Sequence, residues 1–468
     1  MNNREKWGSK FGFILAASGS AVGLGNIWKY PHMAGENGGA AFTIVYLICI
    51  LLVGLPIVIS EFVIGRKTQL SPVGAFETLA PSSHWKWVGF LGVASAFVIL
   101  SFYGVVGGWT LRYTMLSLVD GFTEFTGNSE LSSERFSSFI SNPINPVFWQ
   151  MVFMGLTIMV IIQGVKRGIE KWARIMMPAI LFILLILMIR GLTLPNGTQA
   201  LEFLFKPKFE DLTASSIVLA LGHAFFTLSL GMGTMITYGS YLNKDQNLVS
   251  SALWIILLDT VIAMMAGIAI FATVFAMGGN PDSGPGLIFV ALPTIFPALV
   301  GGSFWGTLFF FLLFMAALTS AISILEVITA YFIDNKGWSR ANATMVFGSL
   351  VTIVGIFCSL SFSSFDDFKQ IFHLSFFDFL DYLSSKYMLP IGGMLTGIFV
   401  LYQWGIPELI KELGIGMKND RFNESTSIIS GISIGIFLKI LFIISVSVIG
   451  FILLNEIIAN ITGSPIVG

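Results

Sequence analysis

The sequence predicts an all-α polytopic membrane protein with eleven transmembrane helices, two of which are broken. Three observations predict this class. First, 55% of the 468 residues are hydrophobic and only 11% are charged, whereas soluble domains carry about 25% charged residues. Second, apolar runs of the roughly 20 residues needed to span a bilayer recur along the whole chain. Third, glycine-rich stretches interrupt the first and sixth of these runs.

The predicted spans follow one another with short polar connections. They lie near residues 12–33, 40–64, 87–118, 147–163, 173–191, 217–240, 247–277, 303–332, 341–361, 376–403 and 428–456. A further apolar stretch, 283–300, contains Pro285, Pro293 and Pro297. Because proline removes a backbone donor and interrupts helices, we expect a broken helix in an external loop there.

The lysines and arginines set the expected orientation, because cytoplasmic segments are enriched in both. With the N-terminus inside, the external segments contain only Arg135, Lys206, Lys208 and Lys369. The cytoplasmic segments then contain Arg4, Lys6, Lys10, Arg66, Lys67, Lys86, Lys166, Arg167, Lys171, Arg174, Lys244, Lys336, Arg340, Lys411, Lys418 and Arg421. Eleven spans place the C-terminus outside the cell. The net charge of −1 predicts no nucleic-acid partner.

The two glycine-rich breaks are the strongest functional signal in the chain. They lie at 18–26 (SGSAVGLGN) and 229–233 (SLGMG). Inside lipid, interrupting a helix is costly unless the freed backbone groups meet an ion, a ligand or water. Breaks at corresponding positions of two halves, here spans one to five and six to ten, are typical of secondary transporters with a site near the bilayer midplane.

The residues around these breaks carry a family resemblance. The stretch GSAVGLGNIWKYP at 19–31, followed by ENGG at 36–39, resembles the neurotransmitter:sodium symporter family in its bacterial amino-acid-transporter branch. FFTLSLGMG at 225–233 and LTS at 318–320 match the same family. The resemblance implies a LeuT-like fold with a 5+5 inverted repeat in residues 1–404. Residues 405–468 would supply a cytoplasmic loop, the eleventh span and an external C-terminus.

The resemblance also implies the activity: a multi-pass protein of the cell membrane that couples amino-acid uptake to sodium. Its partners would be an amino-acid substrate and membrane lipid, and the sequence leaves the oligomeric state open. Two sodium ions would bind, the first to oxygens of Gly19, Val22, Ala316, Thr319 and Ser320. The second would bind Ala21, Asn26, Thr227, Asp259 and the substrate carboxylate. Taken alone, Thr319 and Ser320 would more often bond back to their own helix.

The substrate residues are likewise implied by the resemblance. The backbone amides of Leu24 and Gly25 would meet the substrate carboxylate at a half-helix N-terminus, with Tyr103 donating its hydroxyl. The amino group would meet carbonyls of the two breaks and Ser229. The remaining implied contacts are Ala21, Gly23, Ile99, Phe226, Thr227, Met232, Ser320 and Ile324. The absence of charged side chains from this set favours a neutral, hydrophobic or aromatic amino acid.

Asp259 departs from the usual family pattern, in which asparagine is common. A carboxylate in mid-span is costly and usually functional. We expect it to supply the negative charge that chloride supplies in other members, which makes transport chloride-independent. Tyr46 and His223 would lie beside it. His223 could pair with Asp259 and exchange protons, or stay neutral and hydrogen-bonded.

Two ion pairs are expected to act as gates. Lys29 and Asp381 would pair on the external side, with Tyr103 and Phe226 as a lid. Arg4 and Asp334 would pair on the internal side, beside Trp7 and Tyr241. Either pair could instead be an ordinary surface salt bridge worth about 0–1 kcal/mol.

Gly168 and Pro178 in the fifth span are expected to form a hinge, because glycine permits unwinding and proline frees a carbonyl. From spacing alone, a tolerated membrane proline is an equal alternative. Glu61 and Glu326 are expected to bond to interrupted backbone.

Two other functions remain alternatives to transport. The stretch AASG at 16–19 weakly resembles an intramembrane serine protease, with Ser18 as nucleophile and His223 as base. A passive channel or a substrate-sensing receptor would also span the membrane many times.

Overall fold

The computed structural model describes residues 4–279, 287–363, 369, 373–417, 427–429 and 432–462. Nearly all of them lie in helices. In chain order these are α1 (Lys10–Ala21), α2 (Gly25–Glu36), α3 (Ala40–Thr68), α4 (Pro72–Leu79), α5 (Lys86–Leu118), α6 (Ser129–Ile140), α7 (Asn145–Ile162), α8 (Val165–Leu192), α9 (Gln199–Phe205), α10 (Ala214–Thr227), α11 (Thr234–Ser240), α12 (Leu248–Ala276), α13 (Leu287–Ala298), α14 (Gly302–Lys336), α15 (Arg340–Leu360), α16 (Phe376–Trp404), α17 (Ile406–Gly414) and α18 (Ile434–Thr462).

Within the described ranges, eight single helices are long and apolar enough to cross a membrane: α3, α5, α7, α8, α12, α14, α15 and α18. Two bent pairs bring this number to ten. Helices α1 and α2 meet at 49°, and α16 and α17 at 95°. The sixth predicted span forms two shorter helices, α10 and α11. The count of eleven spans therefore remains a prediction, as does the inverted repeat.

Helix starts are set by side-chain caps that the sequence supplies. The hydroxyl of Ser9 accepts the Gly12 amide at the start of α1, and Thr213 forms a capping box with Ser216 at the start of α10. Asn247 and Ser339 cap α12 and α15 in the same way. Each cap satisfies one of the backbone donors that a helix start leaves unpaired.

The core is built around α14, which packs most extensively against α5 and is the most buried of the spans. Glycines let neighbouring helices come close: a side chain at Gly108 of α5 would collide with the backbone of Gln150 in α7. Such small residues are the usual means of tight packing between membrane helices. The last helix, α18, is the least buried and lies at the periphery.

Three expectations need correction. The last span begins at Ile434, not near residue 428, because Ser427–Ile429 and Ile432–Ser433 pair as short antiparallel strands before it. The fifth span begins at Val165, eight residues before the predicted start, because a π-helical turn over Val165–Glu170 precedes its α-helical part. The loop after α16 contains a helix, α17, with opposed apolar and polar faces.

Some predictions fall outside the described residues. Lys418 and Arg421 of the predicted cytoplasmic loop, Pro285 of the predicted loop helix, and the C-terminal residues 463–468 all lie there. The described part of that stretch forms one short helix, α13, and its position in an external loop remains a prediction. The helix changes from π-helix to α-helix to 3-10 helix at Pro293 and Pro297.

Candidate functional site

The first break separates α1 from α2 and turns backbone groups toward the centre of the protein. Helix α1 ends at Ala21, and Val22 adopts an extended conformation. The amide of Leu24 points at the hydroxyl of Tyr103 in α5, 3.3 Å away. A side chain at Gly23 would collide with the hydroxyls of Ser320 and Tyr103. Glycine at this position therefore keeps the interrupted backbone open to the interior.

The second break, between Thr227 and Thr234, uses three left-handed residues. Ser229, Gly231 and Gly233 have φ values of 53°, 78° and 77°. Glycine adopts this conformation readily, but residues with a Cβ rarely do. The amide of Gly231 donates to Oε1 of Glu61 in α3 at 2.8 Å, as expected for that carboxylate. The strained Ser229 donates its hydroxyl to the Ser20 carbonyl at 3.0 Å. The two breaks are thus hydrogen-bonded to each other.

The oxygen atoms predicted for one sodium ion converge between α1 and α14. The hydroxyl of Ser320 lies 3.4 Å from the carbonyl oxygens of both Gly19 and Val22. The hydroxyl of Thr319 lies 3.5 Å from the Val22 oxygen and 2.9 Å from that of Ala316. This group consists only of uncharged carbonyl and hydroxyl oxygens, and oxygen is the ligand atom that hard cations prefer. The described residues contain no cluster of three or more His, Cys, Asp or Glu side chains suited to a metal.

The atoms predicted for the other sodium ion surround Asp259, which is fully buried. Its Oδ1 accepts from the side-chain amide of Asn26 at 2.8 Å and from the hydroxyl of Thr227 at 2.9 Å. Its Oδ2 accepts from the hydroxyl of Tyr46 at 3.2 Å. All three donors are neutral. Since a buried ionised carboxylate is costly without a compensating positive charge, this arrangement suits a bound cation.

A small cavity lies between the two breaks. Of the residues expected to contact substrate, all except Leu24 line it, and Leu24 contributes its amide just beneath. The apolar part of the wall comes from Ile99, Phe226, Met232 and Ile324. Ser20 also lines the cavity, and its hydroxyl lies 2.7 Å from that of Ser323. The sequence analysis did not single out Ser20, although it belongs to the first break.

The external ion pair forms above this cavity. Lys29 Nζ lies 3.1 Å from Oδ1 of Asp381 and 4.0 Å from the centre of the Phe226 ring. The cation therefore covers the aromatic side chain that closes the cavity. Lysine presents a point charge and not a bidentate fork, and both partners remain partly exposed.

The internal ion pair forms at the opposite end, with more partners. Arg4 pairs with Asp334 and lies 4.7 Å from the centre of the Tyr241 ring. Trp7 is buried there and donates its indole N–H to the Tyr238 carbonyl at 2.9 Å. Both expected ion pairs are therefore formed in this structure.

A second ionic cluster lies beside the Arg4–Asp334 pair, and it corrects the expectation for Glu326. This carboxylate bonds no interrupted backbone: it accepts from Arg340 at 2.7 Å and from the Tyr241 hydroxyl at 2.5 Å. Arg340 also bonds Glu5 at 2.9 Å. From the sequence, Arg340 is only one of the predicted cytoplasmic cations, because no local pattern relates it to Glu326.

The predicted hinge residues lie in α8, Gly168 in its initial π-helical turn and Pro178 in its interior. The start of α8 is held by the N-terminal segment. Glu5 accepts the Val165 amide at 2.5 Å, which satisfies a donor of the helix start. In return, Glu170 of α8 accepts the Gly8 amide at 2.5 Å. These two carboxylates therefore join the N-terminal segment to the start of α8, and no local sequence pattern indicates either contact.

His223 does not pair with Asp259. Neither of its ring nitrogens has a hydrogen-bond partner within the described part of the chain. Its ring lies 5.0 Å from that of Tyr46. Ser18 also lacks a side-chain partner there. Ser18 and His223 therefore do not form the nucleophile–base hydrogen bond that a serine protease needs.

These features define a cation-coupled secondary transporter: two interrupted membrane helices, two clusters of oxygen atoms and a cavity between the breaks. Comparison with known proteins gives the family. The model of the sodium:neurotransmitter symporter family matches residues 4–135 and 124–455, and the chain belongs to this family. It is accordingly a sodium-dependent transporter and not an enzyme.

Individual relatives agree. The chain is 40% identical over 411 residues to the sodium-dependent transporter YhdH of Bacillus subtilis, covering 88% of this chain and 90% of that protein. It is 32% identical over 461 residues to a sodium-dependent transporter of Methanocaldococcus jannaschii, covering 94% and 87%. The crystal structure of MhsT in complex with L-phenylalanine has 44% sequence identity and a TM-score of 0.85, covering 96% of this chain and 99% of MhsT.

Proposed function

We propose that this protein imports a neutral hydrophobic or aromatic amino acid together with two sodium ions, by alternating access and without chloride. The cavity between the two breaks is the observation that carries the proposal. Its wall combines backbone groups of the breaks with the apolar side chains of Ile99, Phe226, Met232 and Ile324, a lining that suits a neutral hydrophobic or aromatic amino acid. The bound L-phenylalanine of MhsT supports the same substrate class.

The amino acid would bind by its ends and be selected by its side chain. Its carboxylate would meet the Leu24 and Gly25 amides and the Tyr103 hydroxyl, which now lies 3.3 Å from the Leu24 amide. Its amino group would meet carbonyls of the breaks and Ser229. Met232 is flexible and polarizable, which suits a wall that accepts side chains of several shapes.

The two sodium ions would bind the two oxygen clusters. The first cluster, at Thr319 and Ser320, uses carbonyls that α1 releases at its end. The second, at Asp259, would be completed by the substrate carboxylate, and this shared ligand would couple sodium binding to substrate binding. Moving two positive charges across 100 mV releases about 4.6 kcal/mol, enough for more than thousandfold accumulation at about 1.4 kcal/mol per decade.

Alternating access would require the two ion pairs to open in turn. Opening the external side would break Lys29–Asp381, and opening the internal side would break Arg4–Asp334. The π-helical turn around Gly168 and the carbonyl freed by Pro178 would let α8 bend and admit water to the Thr319 cluster. In this arrangement residues 1–404 form the transport core, the N-terminus is cytoplasmic and the C-terminus is external.

Uptake into proteoliposomes tests the proposal. An imposed inward sodium gradient should accumulate labelled phenylalanine, and unlabelled hydrophobic or aromatic amino acids should compete better than charged ones. Replacing chloride with gluconate should leave uptake unchanged. Reversing the sodium gradient should reverse the flux. Flux that ignores the sodium gradient would indicate a channel, and binding without accumulation would indicate a sensor.

A further inference from the structure

A basic cavity lies at the end of α8 that faces the N-terminal segment, far from the candidate substrate site. It is widely open to its surroundings, and its volume is about 570 Å³. Four cationic side chains line it, together with Glu170 and Ile175: Lys166, Arg167, Lys171 and Arg174. We call these four residues the basic cluster. All four are exposed.

The basic cluster has a surplus of positive charge. Arg174 pairs with Glu170 at 2.6 Å, and Glu170 also accepts the Gly8 amide and the Ser9 hydroxyl. The carboxylate of Glu170 is thus already bonded to Arg174 and to the N-terminal segment. The other three cations of the cluster form no ion pair with any residue in the described ranges. Three unneutralised charges therefore face one cavity.

The side of α8 that continues from the cavity is apolar and exposed. Ile175, Phe182, Leu185 and Ile189 are between 41% and 64% exposed, and their spacing of seven, three and four residues places them on one helix face. Trp172, 37% exposed, lies at the boundary between this face and the basic cluster. Tryptophan is enriched where a membrane helix crosses from hydrocarbon to headgroups.

We propose that this cavity binds the headgroup of an anionic phospholipid, whose acyl chains lie along the exposed face of α8. The cations directly precede the exposed apolar residues of α8 along the helix. Basic pockets of this kind attract anionic headgroups. A soluble anion would use the charges but would gain nothing from the apolar face. In the proposed orientation of the protein, this headgroup belongs to the inner leaflet. The binding itself does not depend on that orientation.

Native mass spectrometry of the purified, delipidated full-length chain tests this. The protein is titrated in detergent with mixed phosphatidylglycerol and phosphatidylcholine, without sodium or amino acid, so that the outcome is independent of transport. The test variant is K166Q/R167Q/K171Q, which leaves the Arg174–Glu170 pair intact. The charge-matched control is K244Q/K336Q/K411Q, which neutralises three exposed lysines elsewhere.

The wild-type protein and the control should retain phosphatidylglycerol in preference to phosphatidylcholine. The test variant should lose this preference by roughly tenfold or more, since each cation near a headgroup contributes measurably. Millimolar inorganic phosphate should not displace the lipid. If the test variant aggregates, the single variant R167Q should still weaken phosphatidylglycerol binding severalfold.

Three results would overturn the proposal: equal retention of phosphatidylglycerol by the test variant, equal retention of both lipids by the wild-type protein, or displacement by inorganic phosphate. The last would indicate a simple anion site. Failure of the symport proposal would appear in uptake and leave these lipid measurements unchanged.

Discussion

Replacing Asp259 with asparagine should weaken sodium binding and make transport dependent on chloride. The carboxylate is fully buried, and only the neutral groups of Asn26, Thr227 and Tyr46 donate to it. A sodium ion would thus be its compensating positive charge. The variant keeps an oxygen at the same position but removes the negative charge.

The expected magnitude follows from Coulomb's law. A sodium ion about 4 Å from the carboxylate charge gains about 4 kcal/mol at an effective dielectric constant of about 20. The amide oxygen retains part of this interaction, so we expect a loss of about 2–4 kcal/mol. At about 1.4 kcal/mol per decade this corresponds to a decrease in sodium affinity of roughly 30-fold to 1000-fold.

Sodium titrations of substrate binding measure the change, in chloride and again in gluconate. Asp259→Asn should require much more sodium in gluconate, and chloride should restore part of the affinity by supplying a negative charge. Thr319→Val is the matched control, because it removes a ligand of the other cluster without removing a charge. It should weaken sodium binding equally in both salts. An Asp259→Asn protein with wild-type sodium affinity would refute the reasoning.

Three further changes test the gates, the pocket and the hinge. Asp334→Ala removes the partner of Arg4 and should increase the labelling of cysteines introduced on the internal side of the cavity, whereas Lys336→Ala should not. Unchanged labelling would contradict the gating role. Met232→Phe stiffens the cavity wall and should weaken binding of tryptophan more than leucine, by about 1–3 kcal/mol; equal losses in competition assays would contradict this. Glu5→Gln weakens the bond to the Val165 amide and should speed hydrogen exchange at the start of α8, whereas unchanged protection would show that the link is dispensable.

The first break illustrates how far the sequence predicts this site. The glycines at 19, 23 and 25 indicate interrupted backbone, because a lipid-embedded helix with such a stretch needs other partners for its donors and acceptors. The residues that complete the site come from segments up to about three hundred positions away, such as Ser320. Their selection relied on the family resemblance, since hydrogen bonds between a span and its own backbone explain isolated hydroxyls equally well.

Glu326 shows the opposite case. A buried glutamate in a membrane helix indicates function or pairing, but its partner cannot be read from the sequence. Arg340 follows it by fourteen positions, beyond the end of α14, and reaches it only because the chain reverses at Gly337, whose φ is 69°. The expected backbone partner of Glu326 was therefore wrong.

The sequence by itself determined the membrane class and the positions of the two breaks, because hydrophobicity and glycine content act locally along the chain. The number of spans remains a prediction. Only the tertiary structure decided which groups meet. It formed the cavity, joined Ser20 to Ser229 and gave Asp259 three neutral donors. Among the described residues it left His223 without a hydrogen-bond partner. It also brought Glu5 to the start of α8 and Glu170 to the N-terminal segment. These are contacts between distant segments, and their geometry depends on how the helices pack and not on any local pattern.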